Sequence, residues 1–126
     1  MKKSTAIGII DEGRSLLGKI AVLLPFRGGS AEEDRKLATV RGLLAKVFTA
    51  LLLIRERAER ASEDDGYALV NFLARGVRAD VVALAAEMDD SPARERLIEW
   101  HAHLDLLIRA PAVAERLVVT STLTVG

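Results

Sequence analysis

The chain has 126 residues, half of them hydrophobic and only 4% aromatic, with 18 basic side chains against 18 acidic ones and no cysteine. That length makes a single domain able to bury roughly 60% or more of the surface its unfolded chain exposes. Disulfides, thiolate metal sites and cysteine nucleophiles are excluded, and the balanced charge gives no global field to recruit nucleic acid or an anionic membrane.

The chain opens Met-Lys-Lys and turns apolar, but Asp11, Glu12 and Arg14 interrupt the run too early for the core of a signal peptide. Residues 4–24 set Ile7, Ile10, Leu17, Ala21 and Leu24 on one stripe, which predicts a helix. Gly8, Gly13 and Gly18 oppose it at about 1 kcal/mol each relative to alanine, so it needs tertiary packing to form. The alternative is a short strand over Thr5–Ile10 with a helix capped by Asp11. Pro25 ends the element, and Phe26-Arg27-Gly28-Gly29 is a turn.

The second element, 31–62, is the longest. Leu37, Val40, Leu44, Val47, Leu51, Ile54, Ala58 and Ala61 alternate by three and four, the seam of a packed helix. Ser30 with Glu33 forms a capping box, and Glu32, Glu33 and Asp34 sit at the positive end of the dipole. Unbroken, the helix would be about 48 Å long, against a radius of gyration of about 14 Å for a compact chain of this size. It is expected to overhang its domain, with the charged stretch Arg55–Asp65 as an arm. Its most apolar run, Val47–Ile54, lies between Lys46 and Arg55 and is short of the roughly 20 residues a bilayer span needs.

Glu63-Asp64-Asp65-Gly66 reads as a break. A third helix is predicted over 67–88, with Val70, Leu73, Val77, Val81, Leu84 and Met88 inward and Asn71, Arg75, Arg78 and Glu87 off the stripe. Ser91 and Pro92 are the N-cap and first position of a fourth helix, 92–110, burying Leu97, Trp100, Leu104, Leu107 and Ile108. Pro111 stops or kinks it, and a short turn or helix follows over 112–117. In the tail, 117–126, alternating Leu117, Val119, Ser121, Leu123 and Val125 predict an extended strand. Such a strand needs a partner: Thr5–Ile10, or a second copy of the chain.

The chain has two histidines, His101 and His103, which on one helix point about 200° apart and cannot share an ion. No glutamate precedes either by three residues, so a metal site and a bound cofactor are not expected. Arg27-Gly28-Gly29-Ser30 is a cap rather than a phosphate loop, because the three acids that follow would repel an anion. Lys36, Arg41, Lys46, Arg75 and Arg78 could share a modest basic surface, but aromatic residues to stack bases are scarce.

Arg94, Glu95, five further residues and His101 resemble the arginine-spacer-histidine pattern of HEPN-type RNases, with Glu95 where that pattern commonly has asparagine. The resemblance implies a helical bundle in which Arg94 would hold a scissile phosphate and His101 would act in acid-base catalysis across a dimer interface.

The sequence therefore predicts an all-α, four-helix bundle-like domain, 1–126, with one long central helix and a short strand-like tail. Its expected role is a non-enzymatic assembly, adaptor or structural subunit of the cytoplasm that works by homo-oligomerisation. The interface candidates are Val47, Phe48, Leu51 and Leu52 on the central helix and Leu117, Val119, Leu123 and Val125 in the tail. The RNase reading with Arg94 and His101, or a nucleic-acid-binding subunit, is the alternative.

Overall fold

A computed structural model describes the backbone of residues 1–125 and the side chains of residues 1–109. The chain is all-α: α1 (Lys3–Leu23), α2 (Ala31–Arg60), α3 (Glu63–Glu87) and α4 (Pro92–Val125). Successive helices pack side by side, α4 returns against α1, and α1 also touches α3 across the middle. Among the described residues α2 and α4 occupy opposite corners without contact.

The starts of α2, α3 and α4 are each written by a serine, while α1 begins after Lys2 without a side-chain cap. Ser30 Oγ accepts from the Glu33 amide at 3.2 Å, while the Glu33 carboxylate accepts from the amide of Gly29 and Asp34 Oδ1 from that of Gly28 at 2.7 Å. Ser91 Oγ caps α4 through the Arg94 amide at 3.2 Å, with Pro92 at the first position. Ser62 Oγ accepts from the Asp65 amide at 3.2 Å, so Glu63-Asp64-Asp65-Gly66 is the first turn of α3 and not a break. Three acids there answer the helix dipole. Gly66 belongs to that turn because it lies against α2, where a Cβ would come within 2.8 Å of the Ala58 carbonyl oxygen. The corner is finished by Lys3, whose amide donates to Glu63 Oε1 at 2.9 Å and whose Nζ donates to the Ala61 carbonyl at 3.0 Å.

The core of α2 is the predicted seam, Val40, Leu44, Val47, Leu51, Ile54 and Ala58. In α1 the buried stripe runs Ala6, Ile10, Gly13, Leu17 and Ile20, so Ala21 faces solvent and Ile7 and Leu24 are half buried. Burying Ile10, Leu17 and Ile20 at about 1.5–3 kcal/mol each outweighs the roughly 3 kcal/mol the three glycines cost. Only Gly13 has a structural reason: Trp100 of α4, 1% exposed, fills the space a Cβ would take. The indole Nε1 donates to the Ile9 carbonyl at 2.8 Å, locking α4 to α1.

In α3 the buried set is Val70, Asn71, Ala74, Val77, Val81 and Leu84, so Asn71 lies inside, at 5% exposed, rather than off the stripe. Its position has a reason in α4. In an α-helix the Leu107 carbonyl would accept from the N–H of residue 111, and Pro111 has none. Asn71 Nδ2 donates instead, to the Leu107 carbonyl at 3.0 Å and the Ile108 carbonyl at 2.9 Å. Arg75 completes the amide by donating to Asn71 Oδ1 at 3.3 Å. Pro111 therefore neither stops α4 nor leaves a buried carbonyl unmet. The helical backbone continues to Val125 over the stretch predicted as an extended tail. That strand had one candidate partner within the chain, and Thr5–Ile10 is itself helical in α1. A helix meets its own amides and carbonyls without a partner.

Two outcomes follow in denaturant melts. Gly13→Ala loses about 1–3 kcal/mol by overpacking against the Trp100 ring, whereas Gly8→Ala, into open space, gains about 0.5–1 kcal/mol. Asn71→Leu costs about 1–3 kcal/mol in the native background and clearly less in a Pro111→Ala background, where residue 111 regains its N–H. Equal costs in both backgrounds would sink the pairing of Asn71 with Pro111.

Candidate functional site

Val47 and Leu51, expected as interface residues, are 0% exposed inside the chain's own bundle. The apolar band of α2 is wider than one neighbour covers, but α2 packs between two, α1 and α3, which bury Val47, Leu51 and Ile54 and leave Leu53 47% exposed. Phe48 keeps 37% exposure, with the Arg14 guanidinium 5.7 Å from its ring centroid, and Leu52 is half buried. By length and composition α2 contains a window apolar enough to cross a membrane, with mean hydropathy 1.9. The side chains of Leu117, Val119, Leu123 and Val125 lie outside the described residues.

The charged end of α2 is no free arm. Arg55 Nε is 2.7 Å from Asp11 Oδ1 on α1, and its NH1 is 2.8 Å from Glu59 Oε2. The hydrogen bond that Arg55 donates to Asp11, then the Asp11 charge, raises the Arg55 pKa further. The exposed part of α2 is instead its start, where Ala31 to Thr39 lie in solvent apart from half-buried Leu37.

Besides the exposed Val22, Leu23 and Phe26 at the end of α1, an unpartnered apolar surface runs along α3. Ala68, Phe72, Gly76, Ala79, Val82 and Ala86 recur at helical spacing, and every one is exposed. Phe72 is 72% and Val82 52% exposed, and a Cβ on Gly76 would meet nothing within 4 Å. The register set by Lys46 with Asp80, and by Ala58 against Gly66, brings Leu53 of α2, 47% exposed, level with Phe72. Ile98 of α4, 46% exposed, borders the same face through a groove it shares with Val82. Charges beside the face are answered within the chain. Asp80 pairs with Lys46 at 3.2 Å and Arg78 with Asp105 at 3.1 Å. Arg75 lies on the face itself and bonds back to Asn71.

Arg94 and His101 do come together, along one groove of about 260 Å³ with Val81, Val82, Ala85 and Ile98. Arg94 is heavily engaged there: its Nε donates to the Ala85 carbonyl at 2.9 Å, finishing the end of α3, and its NH1 sits 2.7 Å from Asp90 Oδ1. His101 Nε2 is buried without a hydrogen-bond partner. His103 points the other way, with Nδ1 3.3 Å from Glu12 Oε1 on α1, as the helical angle requires. Among the described residues no three His, Asp or Glu side chains converge as metal ligands would.

The five basic residues expected to share a surface are individually committed. Lys36 pairs with Asp89 at 2.7 Å, Lys46 with Asp80 at 3.2 Å and Arg78 with Asp105 at 3.1 Å. Arg41 donates to the Pro25 carbonyl, and Arg75 to Asn71. The sequence pointed to α2 and the tail and missed the α3 face. The pattern that carries it is a run of small uncharged residues at spacing three and four on the side opposite Val70, Val77 and Leu84. Compared with known proteins, the chain matches no family model, no curated protein and no solved structure.

Proposed function

We propose that the chain is a non-enzymatic helical subunit of the cytoplasm that acts by self-association, with the outward face of α3 as its contact surface. The observation that carries this reading is the stripe of apolar and small residues from Ala68 to Ala86, bearing Phe72 at 72% exposure, with Arg75 as the one charge on it, bonded back to Asn71. An exposed phenyl beside glycine and alanine is disfavoured in water and lets a second helix approach closely. Eighteen residue steps of helix make a stripe about 27 Å long. Widened by Leu53 and Ile98, it is commensurate with the ~800 Å² per partner that standard dimers bury. An antiparallel two-fold contact centred near Gly76 would place Phe72 of each copy beside the small residues of the other, the self-complementarity a two-fold interface requires.

Light scattering on the full chain is expected to give a dimer or larger species that Phe72→Glu with Val82→Glu converts to monomer. A chain ending at Leu117 is expected to keep the assembly. Collapse on that truncation, with the α3 variants unaffected, would move the interface to the tail.

The RNase reading is favoured by one observation, that Arg94 and His101 share a groove at the edge of the α3 face. The carboxylate of Asp90 already pairs with Arg94 and competes with any phosphate, which places self-association first. Cleavage of single-stranded RNA by the purified chain, lost in His101→Ala with assembly intact, would reverse that order.

A further inference from the structure

The bundle is open at the end where α1 finishes and α2 begins. A cleft of about 360 Å³ lies there, between the α1–α2 turn and the α3–α4 connection. It falls at the lower end of the roughly 300–1,000 Å³ that ligand pockets span. Its floor is apolar, formed by Ile20, Leu24, Leu37, Val40 and Met88, and the thioether of Met88 adapts readily to a guest.

The rim is charged unevenly. Glu33, Glu87 and Asp89 face a single cation, Lys36. Lys36 is already neutralised, with Nζ 2.7 Å from Asp89 Oδ1. That hydrogen bond, reinforced by the opposite charge, raises the Lys36 pKa and lowers that of Asp89. The Glu33 carboxylate accepts from the Gly29 amide. Glu87 has no hydrogen-bond or ion-pair partner among the described residues. The charge left at the mouth is therefore negative, above an apolar floor. An anionic amphiphile meets repulsion and a neutral one gains only burial, while a cationic one gains both.

We propose that this cleft binds an amphiphilic organic cation, an apolar chain or ring carrying one amine or quaternary ammonium, with its body on Leu37 and Met88 and its charge at Glu87. Leu23, 73% exposed, stands on the wall of the cleft and extends the apolar surface such a ligand would cover. Glu87 lies fifteen residues along α3 from Phe72, about 22 Å, and neither Phe72 nor Val82 lines the cleft.

The test is isothermal titration of the full chain with decyltrimethylammonium, decyl sulfate and decyl maltoside, each below its micellar concentration. The expected result is saturable binding of the ammonium to one site, several-fold tighter than either other probe. Glu87→Gln should weaken it roughly two- to fivefold, the size of an exposed ion pair. Leu37→Trp fills the cleft at a half-exposed position and should abolish binding while the helical circular dichroism is unchanged. Equal or tighter binding of the sulfate overturns the proposal, as does ammonium binding that survives Leu37→Trp, or no saturable heat with any probe. A further overturning result is no ammonium binding together with self-association that Phe26→Ser dissolves, which would assign the cleft to Phe26 of a second copy.

Discussion

The bundle closes because one indole fits one glycine. Trp100 is the largest buried side chain, and it reaches α1 only because residue 13 has no Cβ. Its N–H then takes the Ile9 carbonyl, which fixes both the depth and the register of α4 on α1. Without that contact α4 keeps its packing on α3, and the buried side of α1 is half covered. The aliphatic seam of α2 supplies six of the twenty buried apolar residues among those described, the largest share of any helix, but aliphatic side chains slide over one another. A ring with a single polar atom does not.

Polar groups in this chain are spent largely on finishing helices. Lys3 holds the end of α2, Arg94 the end of α3, Arg41 the end of α1, and Asn71 the carbonyl that Pro111 leaves open in α4. Arg94 and Arg41 are candidates for chemistry when seen in the sequence, and each has an occupation in the fold. Among the groups left without such an occupation are the apolar surface on α3 and the acidic rim over a cleft.

The helices, and the starts of α2 and α4, were legible because they depend on neighbours in sequence. The seam of α2, the caps Ser30 and Ser91 and the buried set of α4 are all written within a few turns. The errors arose where a residue answers a distant one. Gly66 reads locally as a turn, but it is small because Ala58 passes beside it. Asn71 reads as a surface amide until Pro111, forty positions on, is seen to need a donor. The β-branched alternation of the tail is a preference only a neighbouring strand can realise, and its candidate partner within the chain folds as helix. For function, the α3 face escaped because a sequence shows which positions are apolar, while the assembled bundle shows which of them are left over.

The bond between Trp100 and Ile9 joins residues 91 positions apart. Contacts that distant close late, since the loop entropy between them must be overcome before any reward arrives. On the ribosome, α1 therefore emerges and waits while α2 and α3 are made, its aliphatic side sheltered on one flank only. The first helix of the chain is among the last to be fully seated, and a chain halted before Trp100 presents that open flank to whatever binds exposed apolar helices.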